Sequence, residues 1–210
     1  MNRASRLAWL GALALACGSC APHPAMMIPP RIDLTQHEMI GVIDFGSPSK
    51  GRLGPLVTER FTQSARRDQG LVRIVDCGSS EEALRSLGRS AWDAEAFQQL
   101  GRKLGVRTIL TGKLTVSRAK PSVSLAPDLR SGGVSKQVNA TLSVQLIEAA
   151  TGASLWSTSA QATQELGNLS VLGGKELYLD APDPERAYGN LVDNLVEIAA
   201  NDFHAHWERR

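Results

Sequence analysis

The chain lacks a charge excess, a cysteine framework and any long apolar run. Of its 210 residues, 23 are Lys or Arg and 21 are Asp or Glu. Arg3 and Arg6 supply the whole excess, so a chain without its first sixteen residues is neutral. Scattered, balanced charge gives no electrostatic reason to expect nucleic acid as a partner. Of three cysteines, only Cys77 lies outside the N-terminal segment. A lone thiol supplies neither a metal set nor a redox pair, and Cys77 reads as a strand-end residue with a packing role. The four histidines are dispersed. His23 and His37 precede the first predicted strand. His204 and His206 stand two apart on the predicted last helix, on different faces, where they read as solvated and cannot share a metal as an i, i+4 pair would. The apolar stretch Leu7 to Ala16 is about ten residues long, against the roughly 20 that a helix needs to cross a bilayer.

That stretch follows a basic start and ends at Cys17, which is the pattern of an export signal. Leu13-Ala14-Leu15-Ala16-Cys17 resembles the lipobox of bacterial lipoproteins. The resemblance implies removal of residues 1–16 and lipid attachment at Cys17. Cys20 is the alternative acceptor, although Cys17 would then occupy an unusual position for a lipobox. An ordinary secretory signal cut near Ala21 is the plainer alternative. If Cys17 is acylated, Cys20 and Cys77 are left able to pair in an oxidising periplasm. Residues 17–30 then form a tether: Ala21 to Pro30 carries four prolines, which favour an extended stretch over a helix. At about 3.3 Å per residue such a linker reaches roughly 40 Å, so the protein is expected to work close to its membrane.

From about residue 31 to 210 the periodicities alternate between two and 3.6, as expected for one periplasmic domain. Met39 to Phe45 reads as a buried strand. Leu53, Leu56, Val57, Phe61 and Ala65 recur at helical spacing. Leu71 to Val75 is a second strand, Ser80 opens a short helix with acids in its first turn, and Asp93 to Leu104 is a firmer helix stopped by Gly105. A third strand runs from Val106 to about Val116. Val138, Ala140, Leu142, Val144 and Leu146 alternate with polar residues, and the Ala150-Thr151-Gly152 turn leads into an antiparallel partner, Ala153 to Ala162. A last helix after Pro184 carries Tyr188, Leu191, Val192, Leu195, Ile198, Ala199 and Phe203 on one stripe. The order β-α-β-α-β-β-β-α predicts the α/β class, a mixed sheet with helices packed on it.

Two stretches then carry a resemblance. Gly105 to Gly112 (GVRTILTG) and Val144 to Trp156 (VQLIEAATGASLW) are similar to the strand entry and the Thr-Gly hairpin of a group of bacterial envelope proteins. The group includes the curli-secretion lipoprotein, the amino-terminal domain of TolB, Lpo-type activators of peptidoglycan synthases and the Pel polysaccharide-export lipoprotein. The resemblance spans roughly residues 38–205. It implies a TolB-amino-terminal-like fold and a role in the envelope. A Trp soon after the Thr-Gly is expected to cover a sheet edge or pack under a helix.

Motifs that would carry chemistry are incomplete. The loop Gly46 to Leu53 lies between a strand and a helix, where a phosphate loop would be. Arg52 and Leu53 nevertheless stand where a P-loop places Lys and Ser or Thr, which leaves at most weak anion binding at the helix start. Ser47-x-x-Lys50 matches half of a penicillin-binding motif without its partners. Glu81-Glu82 and Asp180 to Glu185 lack the alternating ligands and central Gly of a calcium loop. No nucleophile, base and orienter are expected to meet. The expectation is a protein without catalysis, metal or cofactor.

Three roles remain. The first is an assembly or adaptor component on the periplasmic side of the outer membrane, lipid-anchored, with an envelope protein as partner. Gly18 and Ser19 after Cys17, with no Asp, favour that membrane by resemblance to enterobacterial lipoproteins. The second is a subunit of a curli-type oligomeric secretion channel, and the third an activator of a peptidoglycan synthase. A homo-oligomeric ring is compatible with each. Against a pore, the inserts Ser117 to Gln137 and Glu165 to Asp180 are too charged or too short for spanning strands of about 9–11 residues. The loops Pro121 to Gly133 and Leu169 to Leu179 are the expected contact surfaces.

Overall fold

The computed structural model describes residues 25–48, 52–117, 120–125, 132–166 and 184–209. They belong to two units, Pro30–His204 and a smaller one drawn from the two ends of the chain. In the smaller unit β1 (Ala25–Ile28) pairs antiparallel with β8 (His206–Arg209), setting Met27 opposite Trp207. The extended conformation agrees with the flanking prolines, but part of the segment read as a tether is a paired strand. Met26, Met27 and Trp207 are all exposed.

In the larger unit the alternating stretches form a six-stranded mixed sheet. β2 (Met39–Val42) is central to its parallel part, flanked by β3 (Arg73–Asp76) and β4 (Thr108–Val116). β4 runs antiparallel to β6 (Gly132–Glu148), which runs antiparallel to β7 (Ser154–Leu166). β5 (Lys120–Leu125) continues along β6 where β4 ends, with Val123 opposite Val134. The segment Ser117 to Gln137, read from its charges as an insert, thus holds β5 and the start of β6. Among the described residues β5 pairs on one side only, and a proline is tolerated on an edge because its missing N–H need not face a neighbour. The arm is 6 residues long. The loop around Leu169 to Leu179 lies outside the described residues.

Strand parity sends side chains to two different cores. Ile40, Val42, Leu110, Leu142, Val144 and Leu146 meet α1 (Leu53–Arg66) and α4 (Pro184–Ala199) in the large cluster. Ile43 and Ile109 point the other way and meet Leu100 and Val106 beside α2 (Ser80–Ser86) and α3 (Ala94–Leu104). The helix ends follow local chemistry. Ser79 caps α2 in a reciprocal box with Glu82, Asp93 accepts from the Ala96 N–H at 2.7 Å, and Gly105 stops α3 with φ +68°.

The last helix needs two corrections. It ends at Ala199, and Phe203 reaches the core through a 3-10 turn, Asn201–Phe203. Ile198 is 53% exposed, and Val196 takes the buried position. A straight helix advances 100° per residue, so a stripe drawn through both Ile198 and Ala199 is wider than the face that packs.

Candidate functional site

The loop after β2 is held as a connector. The Phe45 N–H donates to Thr58 Oγ1 at 2.7 Å, and Thr58 Oγ1 donates to the Gly54 carbonyl at 2.9 Å. Gly46 and Lys113 form an isolated bridge. Any Cβ at Gly54 would stand 2.4 Å from the Phe45 carbonyl oxygen, so α1 can start this close to the sheet only with glycine there. Arg52, at the N-cap, makes no side-chain capping bond. Burial first, then Asp76 and Glu82, push the Asp44 carboxyl above its ordinary range. Ser47 is half-buried, and residues 49–51, Lys50 included, lie outside the described residues.

The densest polar constellation is one the sequence does not announce. Gln69, 4% exposed, follows the C-terminus of α1. Its Oε1 accepts the Leu34 N–H at 2.8 Å, while Nε2 donates to the carbonyls of Ile32 at 2.8 Å and Phe203 at 2.7 Å. One buried amide thus joins the entry of the larger unit to its last turn, with no bonding group on Gln69 wasted. Beside it the Ile32 N–H donates to the Asp202 carbonyl at 3.0 Å, and Trp156 Nε1 donates to Asp202 Oδ2 at 2.9 Å. The Trp beyond the Thr-Gly hairpin therefore packs beneath the chain's last turn. Phe203 sits edge-on against Trp156 at 4.7 Å and Phe61 at 5.8 Å.

His204 completes this clasp. Nδ1 lies 3.1 Å from Asp68 Oδ2, and Nε2 lies 3.1 Å from Ser64 Oγ. Two expectations are corrected here. His204 is beyond the helix and largely covered, its side chain 18% exposed, and a hydroxyl, an imidazole and a carboxylate do come into line. They are 136 and 140 residues apart in sequence, out of reach of any local pattern. The alignment is that of a nucleophile, base and orienter, but its setting differs. Ser64 is buried within α1, where backbone N–H groups are spent on helix bonds and none is left to stabilise an oxyanion. The chain of bonds fastens the end of α1 to the last turn.

The remaining titratable groups are separate. His37 ends a 3-10 turn, and burial pushes its imidazole down, with Asp33 opposing. His206 is exposed in β8. Cys77 is a free, half-buried thiol against the α2–α3 core, and burial, reinforced by Asp76, pushes it up to about 11. Among the described residues no three His, Cys, Asp or Glu side chains gather to hold a metal, and no helix is long and apolar enough to cross a membrane. Cys17 and Cys20, and with Cys20 its pairing to Cys77, lie outside the described residues, as do His23 and Asp180.

No family model matches the chain, and no curated protein matches it. Solved structures do. A PelC dodecamer from Paraburkholderia phytofirmans is 14% identical, with 87% of this chain and 98% of that chain covered and a TM-score of 0.44. The LpoB C-terminal domain from Escherichia coli is 19% identical over 61% of this chain and 84% of its own, with a TM-score of 0.36. Lipoprotein GNA1162 from Neisseria meningitidis is 18% identical over 78% and 98%, with a TM-score of 0.38. At such identity and overlap no residue role passes from those chains to this one.

Proposed function

We propose that this chain is a non-catalytic lipoprotein anchored through Cys17 to the periplasmic side of the outer membrane, where it serves as an assembly or adaptor component of an envelope or secretion system. One observation carries the reading: a short apolar run that ends directly in Cys17, ahead of a proline-rich stretch and a folded α/β unit. A lipid on that residue holds the unit near a membrane, since one acyl-modified end supplies the apolar area that the sequence itself lacks. The absence of catalysis is supported by the burial of Ser64 within α1.

Metabolic labelling with a palmitate analogue tests the anchor. Wild type and Cys20→Ala should take up label and fractionate with the outer membrane, and Cys17→Ala should do neither. Label retained by Cys17→Ala would move the anchor to Cys20, and no label on any of them would sink the reading. Crosslinking in intact cells, with mass spectrometry of what is captured, separates an adaptor from an activator of a peptidoglycan synthase. Ion conductance from purified protein in planar bilayers would favour the channel instead.

A further inference from the structure

The ribbon of β1 and β8 is apolar where it is most exposed. Among the described residues these two strands pair only with each other. A ribbon of two strands is marginal in water and gains stability from a surface to pack on. Met26 is 50% exposed, Met27 57% and Trp207 69%. Trp92 and Trp156, the other described tryptophans, are half-buried and buried. An open Trp beside an open Met marks a contact surface, since single scattered apolar residues are ordinary but a joined pair is not.

Pairing sorts these side chains onto two faces. Met27 stands directly opposite Trp207, and opposed residues share a face. Met26 opposes Glu208 and Ile28 opposes His206, so the other face is mixed, with Glu208 and His206 both exposed to water. By register Arg209 stands opposite Ala25, two residues along on the Met27–Trp207 side. One face thus offers a Met–Trp pair with a cationic residue at its end. The chain also limits what that face can meet. Ala25 is eight residues on from Cys17, a stretch that spans at most about 26 Å when fully extended. With lipid on Cys17, β1 starts no further than that from the bilayer.

We infer that the Met27–Trp207 face of the ribbon lies on the lipid surface, as a second contact beside the acyl group on Cys17. The inference rests on the anchoring of Cys17 proposed above. The indole of Trp207, apolar in its rings and polar at its N–H, is favoured at the depth of the lipid headgroups, where an arginine also meets phosphate. The backbone limits the depth. The outer edge of each strand carries N–H and C=O groups that hydrocarbon would leave unpaired, so side chains enter while the strands stay in the wet interface. A lipid surface is the favoured occupant because the chain itself holds it within reach, whereas a protein partner has first to be met. Lipid and ribbon together give two attachments, and they bring both β1 and β8 to the membrane.

The test uses the full lipid-bearing chain in vesicles of phosphatidylethanolamine and phosphatidylglycerol, part of the lipid brominated on its acyl chains. Bromine quenches tryptophan only at close range, so the emission lost is compared between wild type and Trp207→Phe. Wild type should lose a component that Trp207→Phe lacks, and acrylamide in the water should not reach that component. Met27→Gln should lower the ratio of docked to free ribbon about fivefold, since the burial of a half-exposed methionine is lost. Met26→Gln, on the other face, should leave it unchanged. Label from a palmitate analogue is measured on the same samples. Label on Cys17 without bromine quenching of Trp207 overturns this inference and leaves the anchor standing. No label sinks the anchor and this inference with it. Shielding of Trp207 from acrylamide without quenching by bromine means that a protein surface covers the ribbon, which also overturns it. Equal responses to Met26→Gln and Met27→Gln do the same, because the two faces would then not differ.

Discussion

The two faces of the sheet are built from the same strands yet are covered very differently. On one, α1 and α4, of 14 and 16 residues, lie across the sheet from β2 to β7 and bury an aromatic group of Phe45, Phe61, Phe203 and Trp156. On the other, α2 and α3, of 7 and 11 residues, cover only the end where Ile43, Leu100, Val106, Ile109 and Ala149 meet. Beyond them the face is wet, with Asn139, Ser143, Gln145, Ser157, Ser159, Gln161 and Thr163 exposed. The difference follows from alternation: β6 and β7 offer apolar residues to one side and polar ones to the other, so a helix gains area only on the first. The covered face supplies stability, and the bare one leaves surface that a partner can use.

The sharpest way to break this contrast is to empty the larger core. Phe203→Ala should cost about 4 kcal/mol, since a fully buried ring with two aromatic neighbours is lost. Urea denaturation followed by circular dichroism measures it, and a loss below that of any α2–α3 substitution would reverse the ranking of the faces. Next is Gln69→Ala, which strands the Leu34 N–H and the carbonyls of Ile32 and Phe203. At 1–3 kcal/mol for each buried unpaired group, partly offset by water entering, about 3 kcal/mol is expected in the same assay.

On the smaller core, Gly101→Ala would place a Cβ 2.5 Å from the Ala149 Cβ and force α3 off the β6 end, at about 2 kcal/mol. His204→Ala should cost about 1 kcal/mol by removing the bonds to Ser64 and Asp68. A hydrolase screen on wild type and Ser64→Ala should find no difference between them. Activity lost with that hydroxyl would turn the clasp into a catalytic centre.

The smallest effect is on Cys77 chemistry. With its thiol pushed up to about 11, alkylation by iodoacetamide at pH 8 should be slow and should quicken up to that pH. The folded value lies above the ordinary 9.0, so the contribution is intact below pH 9 and stability should fall as pH rises from there towards 11. An ordinary labelling rate at pH 8 would show the α2–α3 core to be open to solvent.

Much of this was legible locally. The alternation from Val138 to Leu146 and the Ala150-Thr151-Gly152 turn give the hairpin, where Gly152 has φ +74° and a Cβ would also strike Ala94. Asp93 and Gly105 bracket α3, as side-chain capping and left-handed backbone demand. What was not legible has a common cause. β5 holds Pro121, which argues against a strand until its edge position is known, and β1 finds β8 at the other end of the chain. His204 on a polar C-terminal stretch reads as solvated because neither Asp68 nor Ser64 lies within a helical turn of it.

By itself, then, the sequence determined the α/β class, the order of the main elements, the buried face of β6 and the likeness of its first residues to an export signal. Those properties depend on periodicity and on neighbours a few residues away. Tertiary structure alone decided that Gln69 bonds three separate segments, that a serine, a histidine and an aspartate align, and that β5 pairs along β6 where β4 ends. Each of these needs groups far apart in the chain to meet in space, and contacts of that kind leave no repeating mark in the order of residues.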